Sequence, residues 1–176
     1  MKLSDGEKLI LLMLAEIYRK LEINGEFDPE FIESAILADQ SWGIGWKHMG
    51  IPFADKKTPA VVSEVLDILD MWTCIEAAVS QLSGQELNSL EQTARSRGLS
   101  LKFKGFDGNN ENEYLAAARF LIEDLDRYTS IKDRNLNSHF QFQDQYSRML
   151  SAFNGFKSSL ISGGLTFDQL VSIFEA

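Results

Sequence analysis

The chain has 176 residues, of which 44% are hydrophobic, enough to bury a single core and too many for an extensively disordered chain. Its 26 acidic residues outnumber 17 basic ones, and the formal net charge of −9 argues against nucleic acid and anionic membrane surfaces as partners. Cys74 is the one cysteine, which rules out an intrachain disulfide and a thiolate metal site and makes a reducing cytoplasm the simplest setting.

The first element is a helix over residues 5–22. Ser4 and Glu7 have capping-box spacing, and Ile10, Met13, Leu14, Ile17 and Leu21 repeat with helical period. The apolar run 9–15 has acidic flanks and is far shorter than a membrane span, so it reads as a buried helix rather than a leader or anchor. Leu11, Leu12 and Tyr18 fall outside the main stripe. Burial from two directions, by the chain itself or by a second subunit, is the expectation.

Asp28-Pro29 is an N-cap with proline at N1, opening a helix over 29–39. Residues 41–53 hold three glycines, two tryptophans and a proline without helical period, which predicts a loop or short extended segment. Thr58-Pro59 opens the longest helix, over 59–82, with Val61, Val65, Ile68, Trp72, Ile75 and Val79 on one face. Ser83 and Glu86 form a second capping box, for a helix that ends near Arg97 with Gly98 at C′. Residues 99–106 alternate apolar and polar; a lone strand has no partner, so they are expected to form an extended connector. The corner Gly105-Phe106-Asp107-Gly108 precedes a helix over 110–129, with Tyr114, Leu115, Ala118, Leu121, Ile122 and Leu125 inward. After a polar loop, a helix covers 141–160, and the box Thr166–Gln169 opens the last one. The fold class is all-α: a compact bundle of about seven helices in one domain over 1–176, built around the long helices near 59–82 and 110–129, with little or no sheet.

No pattern carries a recognisable reaction. The acidic run 107–113 lacks the glycine and the twelfth-position acid of a calcium loop, so Asp107, Asn109 or Asn110 is better read as a helix cap. Gly43 and Gly45 neither follow a strand nor open a helix, which fails the nucleotide fingerprint. His48 and His139 lie outside any paired-histidine motif, and neither a metal nor a cofactor is expected. Trp42, Trp46 and His48 suit either a recognition loop or a tight loop tucked into the core. Glu76 projects onto the apolar face of the long helix and Glu111 onto the inner side of the next. Arg119 lies at the edge of that helix's apolar stripe, and Arg127 lies opposite it, with Phe120. Three roles are open: an i,i+4 pair of Arg127 with Glu123, a buried Glu–Arg network that fixes helix packing, or an acid–base site. Phe120, away from the main stripe, marks a helix that is central or at an interface.

Gly105-Phe106-Asp107, Glu111, Tyr114-Leu115, Arg119-Phe120 and Arg127-Tyr128 resemble the central motif of the YfbU family of bacterial proteins. Tyr146-Ser147-Arg148-Met149-Leu150 is similar to its C-terminal motif, and the helices at 9–11 and 65–72 also fit. The resemblance implies a helical, soluble protein of a family without an assigned activity. It offers no catalytic residues to carry over; Asp107, Tyr114, Arg119 and Arg127 are candidates for a functional role and for a structural one alike. The functional expectation is a non-enzymatic interaction or regulatory module that self-associates, in the simplest case a homodimer, with a further protein partner also open. The alternative is an enzyme or small-ligand binder using the Glu/Arg cluster of Glu76, Glu111, Tyr114, Arg119 and Arg127.

Overall fold

A computed structural model describes residues 2–53, 57–160 and 163–176. Helices dominate: α1 (Asp5–Lys20), α2 (Pro29–Leu37), α3 (Trp42–Lys47), α4 (Ala60–Val79), α5 (Gly84–Ser96), α6 (Asn112–Arg119) running into a π-helical turn (Phe120–Asp124), α7 (Gln143–Asn154), α8 (Lys157–Leu160) and α9 (Phe167–Glu175). Among the described residues the only β-type pairing is one isolated bridge, Phe106 to Asn137, so the all-α expectation holds.

The helix starts follow the local chemistry. Capping boxes close the N-termini of α1, α5 and α9 in the expected registers. The Asp28 carboxylate accepts from the backbone N–H of Glu30 and Phe31 ahead of Pro29. Gly98 takes φ +72° just beyond α5.

Helix α4 is the axis of the body. Val62, Val65, Ile68, Leu69, Met71, Trp72 and Ile75 are buried along it, and it packs against α6 and α7, while α9 lies on α5 and α7. An aromatic cluster fills the centre: Trp72 meets Tyr146 at 5.5 Å and Phe103 and Phe174 at 6.1 Å between ring centroids, and Phe106 meets Phe103 at 5.6 Å. The α1–α2–α3 unit joins this body where α2 meets the π turn.

The structure departs from the sequence reading in four places. Residues 42–47 form a short helix rather than a loop. Gly43 is needed there because a Cβ would lie 2.2 Å from Cε1 of Phe120. The element starting at Asn112 stays α-helical only to Arg119, then widens so that the Leu125 N–H reaches the Phe120 carbonyl, and it closes at Asp124. The wider turn lets three successive residues, Phe120, Leu121 and Ile122, all be buried, with the Phe120 ring packed against Phe31 and edge-on to Trp42. The helix expected over 141–160 breaks at Gly155 into α7 and α8.

The fourth departure is the largest. In α1 only Ala15 is buried, and the stripe expected to be inside is exposed: Ile10, Met13, Leu14, Ile17 and, at the C-cap, Leu21 are 46–67% exposed, as is Leu9 beside them at 60%. Leu11, Ala15 and Tyr18 face the α2 and α3 side instead, and Leu14 lies at the boundary, half exposed and bordering the cavity on that side. The apolar arc of α1 is wider than one contact can cover, and α2 takes its narrower flank.

Candidate functional site

The corner before α6 is built on backbone geometry. Gly105 has φ +86°, and a Cβ there would sit 1.7 Å from the carbonyl oxygen of Leu136. This contact lets the Phe106 N–H donate to Leu136 O at 3.0 Å and the Ser138 N–H donate to Phe106 O at 3.1 Å. The Asn137 side-chain oxygen accepts from the N–H of Gly108 and of His139, both at 3.1 Å. The loop 130–138 is thereby clamped to the corner.

Asp107 is not the helix cap that the sequence suggested. Its carboxylate takes the side-chain amide of Asn110 and the N–H of Asn109, and these bonds hold its pKa below the usual carboxylate value. The N-cap position of α6 belongs to Glu111, whose buried carboxylate serves two other backbone groups: Asp107 N–H at 2.8 Å and Gln143 N–H at 2.7 Å. Gln143 is the first residue of α7, so one carboxylate ties the corner to the N-terminus of the next helix, where negative charge is favoured.

Glu76 does enter a Glu–Arg pair, with an arginine absent from the sequence reading. Arg134 forks onto both oxygens of Glu76 at 2.7 Å, and the Phe103 N–H adds a bond to Oε1 at 2.9 Å. Arg134 also donates to Ser130 O at 2.7 Å. Neither expected arginine takes part. Arg119 is exposed and makes no hydrogen bond or ion pair with the described residues. Arg127 forms no pair with Glu123, because the helix has ended and Asp126 and Tyr128 take positive φ on either side of it; its guanidinium lies 5.3 Å from the Trp46 ring centre.

Tyr114 leads to a carboxylate that the sequence reading missed. Its hydroxyl donates to Glu64 at 2.7 Å, and the other oxygen of Glu64 accepts from Gln143 at 2.9 Å and Ser147 at 2.8 Å. Burial pushes the Glu64 carboxyl up, but these three donors outweigh it and hold its pKa below the usual range. Burial and the Glu64 charge push the Tyr114 hydroxyl up to about 12. Tyr128 donates likewise to Asp70 at 2.7 Å. Glu64 lies three residues after Val61 and four before Ile68, the same signal that picked out Glu76, so it was legible. Glu64 and Glu76 are twelve residues apart on α4, about 18 Å along the axis. Glu64 and Glu111 thus meet at Gln143, at the start of α7, while the Glu76–Arg134 pair is a separate joint and neither Arg119 nor Arg127 joins either one. No cluster of three His, Cys, Asp or Glu residues able to hold a metal occurs among the described residues. Burial, with the charge of Asp70 nearby, raises the pKa of the Cys74 thiol and so favours its protonated form.

The candidate recognition residues also divide. Trp42 is buried, with its indole N–H on the Gln40 side chain and its ring against Trp46 and Phe120. The His48 ring packs tilted against Phe27 at 5.1 Å and borders an apolar cavity of about 340 Å³ beneath α1, together with Leu11, Leu14, Ile32, Ile44 and Phe53. Its Nε2 is buried without a hydrogen-bond partner.

No helix among the described residues is long and apolar enough to cross a membrane. The whole chain, residues 1–176, matches the YfbU domain. A UPF0304 protein of the archaeon Methanocaldococcus jannaschii is 30% identical to it over 153 residues, which cover 84% of this chain and 85% of that protein. The chain belongs to the YfbU family.

Proposed function

We propose that this YfbU-family chain is a non-enzymatic helical interaction module that self-associates through the outer face of α1. One observation carries the reading. Five large aliphatic or thioether side chains, Leu9, Ile10, Met13, Ile17 and the C-cap Leu21, lie exposed along the outer face of α1 in a chain whose other long helix, α4, buries its apolar face. Their combined exposure is on the order of 600 Å², the upper end of what a monomeric protein presents, and two such faces together pass the roughly 1,000 Å² a specific interface needs.

The charged residues support the same reading by having other work. Glu76, Glu111, Glu64 and Tyr114 each satisfy backbone or side-chain donors and acceptors at helix junctions. Their roles are those of a scaffold, and the enzyme alternative draws no support from their arrangement. The single free cysteine suits a reducing, cytoplasmic setting.

Light scattering on the eluting protein tests the proposal. The expected mass is twice the 19.9 kDa of the chain, and a mass of 19.9 kDa at high protein concentration contradicts it.

A further inference from the structure

We infer that the occupant of the α1 face is α1 of a second copy, antiparallel to the first about a twofold axis near Met13. This rests on the self-association proposed above and specifies its geometry.

The seam itself asks for a helix. Gly6, Ile10, Met13, Ile17 and Leu21 are spaced by four, three, four and four residues, close to the alternation of a coiled-coil core, with Leu9 and Leu14 flanking them. All seven are exposed. A Cβ added at Gly6 would meet nothing within 4 Å, so this end of the seam is open ground for an incoming side chain.

The ends of α1 select the direction. Asp5 and Glu7 lie in its first turn, Arg19 and Lys20 in its last. A parallel pair would stack acid on acid and base on base. An antiparallel pair centred on Met13 sets the Asp5 end of one copy beside the Lys20–Leu21 end of the other, and opposes the two helix dipoles. In that register Leu9 lies level with Ile17 of the second copy, Met13 meets Met13, and Leu21 of the second copy packs over the open ground at Gly6. Lys20 holds Glu16 of its own helix at 2.8 Å in an exposed pair, which leaves its ammonium able to take the Asp5 carboxylate as well. Arg19 stays with Glu33 at 2.7 Å and anchors α1 to α2 while the outer face is covered. A foreign apolar helix would fill the seam, but it would not account for charges that are complementary to themselves under a twofold rotation.

Cysteine pairing tests the geometry on the full chain with Cys74→Ala as background. Met13→Cys brings two thiols together at the axis. Leu9→Cys leaves its copies about 12 Å apart along the helices, beyond disulfide reach. Ser89→Cys, exposed on α5, reports random collision. On mild oxidation we expect Met13→Cys to cross-link about tenfold or more faster than Ser89→Cys, because the paired thiols meet at high effective concentration. Leu9→Cys alone should stay at the collision rate, and a mixture of Leu9→Cys with Ile17→Cys chains should cross-link to each other. A dimer in which Leu9→Cys cross-links as fast as Met13→Cys is parallel and overturns the inference. A dimer in which Met13→Cys stays at the collision rate uses another face and overturns it while self-association stands. A monomeric background protein overturns both.

Discussion

At the scale of single residues, Glu64 shows how a carboxylate on an apolar helix face is tolerated. Three donors from α6 and α7 compensate its burial, so its ionised form is the stable one in the folded chain. Because the folded pKa is below the ordinary value of 4.5, its contribution is fully present above that pH and is lost as pH falls through the folded value. Glu64→Gln should therefore lower unfolding stability by about 1–2 kcal/mol near pH 7, measured by urea titration, and the gap to the wild type should narrow below about pH 4.5. A gap that is constant from pH 7 to pH 3 would show that the charge on Glu64 contributes nothing. Tyr114 has the opposite sign: with its hydroxyl pushed up to about 12, it stabilises the fold below pH 10 and loses that contribution as pH rises further. Glu76 was legible as a charge needing a partner because of its place among Leu69 and Trp72. Its partner was not legible, because Arg134 sits in an irregular loop 58 residues away whose position is set by the Asn137 clamp.

At the scale of elements, the start of a helix proved easier to read than its continuation. A capping box is a local bond between residues three apart, so Ser4, Ser83 and Thr166 declared themselves in sequence. The π turn did not, because it answers to tertiary packing: it buries Phe120, Leu121 and Ile122 in succession, Phe120 against Phe31 and Trp42. Helix α3 was hidden for a related reason: Gly43 weakens helix propensity locally and is there for the ring of Phe120. The corner at Gly105 combines both kinds of constraint, a positive φ and a backbone neighbour that cannot move aside. Gly105→Ala should cost more than about 3 kcal/mol, read as a lowered denaturation midpoint or loss of soluble protein. A stability within about 0.5 kcal/mol of wild type would mean that the 106–137 bridge is not a fixed feature of the fold.

At the scale of the whole molecule, the sequence indicated an all-α chain and an apolar first helix, but it could not say which side of that helix faces inward. The apolar arc of α1 runs from Leu9 round to Ala15, and only the packing of α2 reveals that Leu11, Ala15 and Tyr18 are the inner set. The remainder of the arc is the apolar surface that α1 leaves uncovered, while Glu64, Glu76 and Glu111 are committed to helix junctions. Sedimentation equilibrium of the wild type beside Leu9→Glu/Met13→Glu tests this most directly. Both substituted side chains are exposed, 60% and 56%, so the variant should keep its helical spectrum. The expected wild-type mass is twice 19.9 kDa and the expected variant mass is 19.9 kDa. A wild type that sediments as a monomer, or a folded variant that remains a dimer, would contradict it.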